Sequence, residues 1–381
     1  MRWVGVVALV GALVVPPALP PAAGHCPGQE VPPAPAAVEE TGPPVAALPW
    51  PDEPVGGTAL GGCGDIGPAG VPAVGAAAFV LADLDTGVVL AARAPHARHR
   101  PASTLKVLTS IVALQRLDLD SQVEGTVDDL AIDGSKAGIG PGTRYSVREL
   151  LEGLLLNSGN DAAAALARAI GGTPQMLTAT SATARELGAL DTRPTSPSGL
   201  DAPGMSASAY DLALLFRAAM HDERFTSLIS LRTVPFPGWG EHPPFTLSND
   251  SRMLSHYPGT LGAKSGFTDA ARHTLVGAAE RDGRRLVFAL VRGEQRPTPM
   301  WQQAAALLDW GFTQPRDGTG FGRLVDAPPP LPAPAPGAPP AAATLAATPP
   351  VPLAGVLLGV GGVLAMLAGA LLLVRHRRRS R

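Results

Sequence analysis

Only three of the chain's 30 basic residues are lysines: Lys106, Lys136 and Lys264. Where arginine is the default cation, a lysine is worth questioning. Its amine can be brought to the neutral form by burial or by a neighbouring cation, and it then serves as a base, which arginine cannot do. Lys106 stands three residues after Ser103. On a helix that spacing places both side chains on one face, within mutual reach. A neutral Lys106 could take the Ser103 proton, and a helix start would favour the resulting negative charge. Taken alone, the pair reads as a capped helix with a surface lysine. Ser158-Gly159-Asn160 interrupts an apolar helical pattern, so it is either a cap or a loop offering a hydroxyl and an amide to a cleft. Lys264-Ser265-Gly266 falls on a predicted strand. There a cation and a hydroxyl suit a carboxylate, and the plain alternative is a surface strand ending at glycine.

The elements that must position these groups follow from periodicity. Ala76–Ala82 and Val88–Ala91 flank Asp85-Thr86-Gly87 and predict a hairpin. Helices are predicted over 103–117, 147–156, 161–170, 175–187, 208–220 and 300–310. The runs 274–279 and 286–291, joined through Asp282-Gly283, predict a second hairpin. Strands at both ends with helices between them predict an α+β domain over 69–315, its terminal strands sharing one sheet.

Together and in this order, the three elements resemble the penicillin-binding and serine β-lactamase superfamily, whose motifs are Ser-x-x-Lys, Ser-x-Asn and Lys-Thr/Ser-Gly. The chain looks most like the low-molecular-weight D-alanyl-D-alanine carboxypeptidases. Pro101-Ala102-Ser103-Thr104-Leu105-Lys106 looks like their first motif, Leu156-Asn157-Ser158-Gly159-Asn160-Asp161 their second and Gly262-Ala263-Lys264-Ser265-Gly266-Phe267-Thr268 their third. Ser198-Gly199-Leu200-Asp201 and the run from Ser208 to Ala213 resemble intervening segments. The resemblance implies the DD-peptidase/β-lactamase fold, an antiparallel sheet flanked by helices with an all-helical subdomain.

It also implies that Ser103 attacks the bond between two D-alanines, with Lys106 as base. Ser158, with Lys264, passes a proton to the leaving nitrogen. Asn160 holds the donor backbone, and Lys264, Ser265 and Gly266 serve the terminal carboxylate. The N–H groups of Ser103 and Phe267 form the oxyanion hole. The implied partners are peptidoglycan stem peptides ending in D-Ala-D-Ala, with β-lactams as inhibitors, and no metal or organic cofactor is called for. Departures touch substrate contacts: Leu105 replaces a common Thr, Thr180-Ser181 replaces a frequent Met-Asn, and the arginine that binds the carboxylate has Arg296 as its nearest candidate. A β-lactamase would need a deacylating glutamate between the second and third motifs. Glu186, Glu223 and Glu241 stand there, in no recognisable loop motif. A transpeptidase or DD-endopeptidase would use the same acyl-enzyme, and an inactive receptor would not keep all these groups.

The rest of the chain concerns placement. Met1–Ala23 reads as a secretory signal, a basic start followed by an apolar run and small residues. Proline-rich flanks, 13 prolines in Pro16–Pro54 and 11 in Asp326–Pro352, predict an unfolded arm over 24–68 and a stalk over 316–351. Leu353–Val374 is 22 residues without a charge, within a predicted membrane helix at 352–374, and the basic tail 375–381 follows on the cytoplasmic side. The catalytic domain is thereby expected outside the membrane, and Cys26 and Cys63 are expected to pair there. A net charge of −2 gives no footprint for nucleic acid.

Overall fold

The computed structural model describes residues 29–34 and 45–327. The chain divides into two units, Met1–Pro332 and Ala333–Arg381, and every described residue belongs to the first. The first part supplies β1 (Asp65–Ile66), β2 (Ala76–Asp83) and β3 (Val89–Arg93). A 3-10 turn at Ala102–Leu105 leads into α1 (Lys106–Arg116). A ladder of β4 (Gln122–Glu124) with β5 (Arg144–Ser146) brackets the short α2 (Val127–Ala131). Then come α3 (Val147–Leu156), α4 (Asn160–Ala169), α5 (Thr173–Leu187), α6 (Ala209–Met220) and α7 (Glu223–Ile229). A ladder of β6 (Thr233–Phe236) with β7 (Phe245–Ser248) and the short α8 (Arg252–His256) return the chain to the sheet. There β8 (Thr260–Thr268), β9 (Arg272–Arg281) and β10 (Arg284–Gly293) are added, and α9 (Met300–Thr313) closes the fold.

The six-stranded sheet runs β1-β3-β2-β10-β9-β8 and is antiparallel throughout. The expected sharing of one sheet by the terminal strands is realised where β2 pairs with β10, Val80 opposite Ala289. Alternation along β2 sorts the core into two halves. Ala78, Val80 and Ala82 face the helical half, while Phe79 and Leu81 join Leu307 and Leu308 of α9. Both hairpins form as the sequence predicts. The second turns through Asp282 and Gly283, φ 51° and 69°, the double positive φ of a tight two-residue turn. Local caps set helix starts. Ser146 Oγ accepts from Glu149 N (3.2 Å) and Glu149 Oε2 accepts from Ser146 N (2.7 Å), which opens α3.

The packed body is longer than 69–315. Val55 and Leu60 are buried in the core, and at the other end Leu324 is too, with Arg323 bridged to Val88. The stretch expected to be a free arm is held by three arginines: Arg100 donates to Pro33 O, Arg193 to Ala46 O (2.8 Å), and Arg98 makes the most contacts. Arg98 donates to Glu30 O (3.1 Å), Leu48 O (2.6 Å) and Pro49 O (2.9 Å), and its guanidinium lies 3.9 Å from the centre of the Trp50 ring. Its remaining Nε–H goes to Asp191 (2.9 Å). Asp191 in turn holds His96 (2.8 Å), whose other ring nitrogen meets Val55 O (3.0 Å). His96 therefore faces an acceptor on each side, which burial opposes and the Asp191 charge favours, leaving its pKa raised. Cys63 is disulfide-bonded, and the chain's other cysteine, Cys26, lies outside the described residues. The expected signal at 1–23, most of the stalk, the membrane helix and the tail also lie outside them. Among the described residues no helix is long and apolar enough to cross a membrane.

Candidate active site

Ser103 is not on an α-helix, as the sequence predicted, but in the 3-10 turn that precedes α1. Ala102, at φ 48°, bends the chain into it. Two glycines leave room for that turn. A Cβ on Gly199 would fall 2.0 Å from Ala102 O, and one on Gly266 would fall 2.7 Å from Ser103 N. The β8 backbone therefore lies directly against the serine. Thr274 of β9 reinforces the contact by donating to Pro101 O (2.9 Å).

Lys106 opens α1 and is wholly buried. Its Nζ has three oxygen neighbours: Ser103 Oγ at 2.8 Å, Asn160 Oδ1 at 2.7 Å and Ser198 O at 2.7 Å. The Asn160 amide is oriented by its own nitrogen, which donates to Asp133 O (2.6 Å). Its oxygen is thereby turned to the lysine. Burial, then the nearby charge of Lys264, hold the Lys106 pKa well below its ordinary value, against the weaker opposing pull of Asp250 and Asp161. A neutral amine has two N–H bonds and one lone pair. The amide and carbonyl oxygens can only accept, so they take the two hydrogens. The lone pair is left facing Ser103 Oγ.

Ser158 sits in the break between α3 and α4 at φ 59°, a conformation that costs a non-glycine residue about 1 kcal/mol or more. It is buried, and its hydroxyl makes no hydrogen bond among the described residues. Lys264 on β8 is also fully buried, its pKa lowered by burial against the charge of Asp250, and it donates to Ser265 O (3.0 Å). Ser265 and Gly266 line a cavity of about 390 Å³ at the sheet edge. Phe267 is 48% exposed and stacks on His273 with ring centres 4.5 Å apart. The three sequence elements thus converge: Ser103, Lys106 and Asn160 touch, and β8 carries Lys264 to Phe267 past them. Arg296 does not line the cavity. Lys136 is a surface residue whose ammonium is held on Leu130 O.

Sequence reasoning missed Asp161, although it belongs to the second motif. Its carboxylate is fully buried, with no counter-cation in contact among the described residues. It accepts from the backbone N–H groups of Ala137 (2.8 Å), Gly138 (2.9 Å) and Ile139 (3.2 Å). The loop so pinned is the one whose carbonyls fix the motif: Asp133 O and Ser135 O hold Asn160, and Lys136 O holds Asn157. An aspartate at the start of a helix is usually a dipole partner, so only the long-range contacts reveal this role. Asp161→Asn keeps the shape but sets an NH₂ against backbone N–H donors. At roughly 1.5–3 kcal/mol for a hydrogen bond to a charged group, acylation by a labelled penicillin is expected to slow about 10- to 100-fold. An unchanged acylation rate in a folded variant would remove Asp161 from the positioning network.

The one trio of side chains suited to ligate a metal among the described residues, His96, Asp191 and Asp211, is the ion network under the arm. Its His96 nitrogens and Asp191 oxygens are already engaged.

Comparison with known proteins agrees with this geometry. The family profile for D-alanyl-D-alanine carboxypeptidase, peptidase family S11, matches residues 68–294. The chain is 46% identical over 256 residues to the D-alanyl-D-alanine carboxypeptidase DacB2 of Mycobacterium tuberculosis, covering 65% of this chain and 87% of that one. It is 37% identical over 253 residues to DacD of Salmonella typhimurium, of whose length it spans 63%. The crystal structure of a D-alanyl-D-alanine carboxypeptidase from Mycobacterium tuberculosis superposes with TM-score 0.65 at 43% identity, over 68% of this chain and 99% of that one. The Streptomyces K15 DD-transpeptidase gives TM-score 0.61 at 26% identity, over 64% and 99%. An antiparallel sheet with a helical half, a serine faced by a buried lysine, and these matches lead to one conclusion: the chain belongs to the D-alanyl-D-alanine carboxypeptidases of peptidase family S11.

Proposed function

We propose that Ser103 is the residue acylated in this serine-type carboxypeptidase, with Lys106 as its base. The observation that carries the assignment is the Lys106 environment, in which two obligate acceptors leave the amine lone pair for Ser103. Ser103 Oγ attacks the carbonyl between the two terminal D-alanines, and its proton passes to Lys106. Negative charge developing on that carbonyl oxygen is met by backbone N–H groups of Ser103 and Phe267, since Gly266 brings β8 against the Ser103 turn. Ser158, with Lys264, relays the proton to the leaving nitrogen, and D-alanine departs. Asn160 holds the donor backbone, and Ser265 with Lys264 meets the terminal carboxylate. Water then attacks the acyl-enzyme and releases the shortened stem peptide. β-Lactams acylate the same serine and so inhibit.

The test is mass-spectrometric mapping of a penicillin adduct, beside D-alanine release from a peptide ending in D-Ala-D-Ala. An adduct on Ser103, with no adduct and no release in Ser103→Ala, is the expected result. An adduct on another residue would overturn the assignment.

The setting is also proposed: an extracytoplasmic enzyme on a single membrane helix. What supports it is the 22-residue uncharged run Leu353–Val374, the basic residues after it and the proline-rich stretch before it. At about 3.1 Å per residue in extended form, that stretch would reach on the order of 80 Å, toward a polymer outside the bilayer. The full chain is expected in the membrane fraction and a chain ending at Asp326 in the soluble fraction. A full chain that fractionates as soluble would rule the anchor out.

A further inference from the structure

Arg100 stands three residues before Ser103 and is buried. Its backbone belongs to a segment tied on both sides. His99 exchanges two hydrogen bonds with Ala207, each 2.8 Å. Pro101 O accepts from Thr104 Oγ1 (2.6 Å) and Thr274 Oγ1 (2.9 Å). The Arg100 side chain leaves this segment toward two further elements. One guanidinium nitrogen donates to Pro33 O of the N-terminal arm. Its Nε lies 3.8 Å from Asp201 Oδ1, an ion pair buried at both ends. Asp201 ends the run Ser198-Gly199-Leu200-Asp201, which bears on the nucleophile twice. Ser198 O lies 2.7 Å from Lys106 Nζ. Gly199 packs so closely that a Cβ on it would fall 2.0 Å from Ala102 O. A displacement of this run therefore moves an acceptor of Lys106, or the turn that carries Ser103, or both.

We infer that Arg100 is a positioning residue of the acylation step: it joins the N-terminal arm, the lead-in to Ser103 and the 198–201 run into one unit, and so fixes Ser103 against Lys106. The inference rests on the reading of Ser103 as nucleophile and Lys106 as base. A guanidinium suits the task, because its planar fork of donors holds two partners at a set angle. The arm precedes residues 68–294, which the family profile matches, yet it is anchored in the core by Val55 and Leu60 and offers Arg100 a fixed carbonyl. Arg98 and Arg193 hold the arm as well, but through Asp191 and Ala46 O. Neither makes a hydrogen bond or ion pair to the 198–201 run among the described residues. A misplacement of about 1 Å at reacting atoms can cost on the order of 10²-fold in rate, so slight play at Arg100 suffices.

The experiment follows acylation by a chromogenic penicillin in stopped flow, on the full chain and on Arg100→Ala, Asp201→Asn and Arg193→Ala. It reads the limiting rate constant, the penicillin concentration at half of it, and the fraction of protein acylated. In Arg100→Ala the limiting rate constant should fall about 10- to 100-fold, with the half-saturating concentration within about twofold of wild type and the acylated fraction retained. A purely structural loss would instead lower the acylated fraction and leave the rate constant of the folded molecules unchanged. Asp201→Asn keeps the side-chain volume and should slow acylation in the same way; it decides the question where Arg100→Ala does not fold. Arg193→Ala frees the arm only at Ala46 and should acylate at the wild-type rate. A limiting rate constant within about twofold of wild type in the deciding variant overturns the inference. So does a loss confined to the acylated fraction, or an equal fall in Arg193→Ala. Failure of the underlying reading is separate: it would show as wild-type protein without an acyl adduct on Ser103, whatever stands at position 100.

Discussion

Replacing Lys106 by arginine is expected to slow Ser103 acylation by about 10²- to 10⁴-fold, the usual range for losing a positioned general base. The substitution is informative because it keeps a cation while removing the lone pair. Arginine stays protonated at any accessible pH. If Lys106 served only as a positive charge, Lys106→Arg would retain much of the rate. The wild type should show a matching pH profile. Burial and the Lys264 charge lower the Lys106 pKa, so the amine is the dominant form at higher pH and is lost as pH falls through that lowered value. Acylation should therefore decline on acidification, and the residual rate of Lys106→Arg should not follow that limb. Stopped-flow measurement with a chromogenic penicillin reads both. A Lys106→Arg rate within tenfold of wild type would remove the base from the mechanism.

A chain beginning at Ala69 is expected to be far less stable than one that keeps the N-terminal arm. The truncation removes Val55 and Leu60 from the core, at about 1.5–3 kcal/mol for each buried side chain. It also strips three carbonyl acceptors and the Trp50 ring from the buried Arg98. Stripping those acceptors from a guanidinium that keeps only its Asp191 partner costs roughly 1–3 kcal/mol more. The sum is comparable with the whole stability of an ordinary domain, about 5–15 kcal/mol. The truncated chain should unfold at a much lower temperature or fail to accumulate as folded protein. Arg98→Met in the chain that keeps the arm gives a milder comparison, since a methionine can occupy the space without needing the carbonyls. Its arm should become susceptible to proteolysis while the body stays folded. Equal melting temperatures for the two chain lengths would show that the arm is only laid on the surface.

What the sequence determined by itself was whatever depends on short spacing. Ser103 and Lys106 share a face because they are three residues apart. Both hairpins follow from apolar runs around Asp-Gly or Asp-Thr-Gly turns, and the helices from apolar period and caps. The three motifs were recognisable because each is contiguous.

Tertiary structure decided what depends on distant partners. The proposed base role of Lys106 depends on Asn160 and Ser198, 54 and 92 residues away, which lie against its amine. No local rule connects those positions. Asp161 looked like a helix-start acid until the loop at 137–139 was seen folded onto it. Arg296, the nearest candidate by sequence, lies outside the lining of the cavity at the sheet edge, which only the folded chain shows. The arm was misread for a physical reason. Proline-rich chain forms no internal hydrogen bonds, which argues against its folding alone. The same property leaves its carbonyls free, and a buried guanidinium from the body, Arg98, collects them.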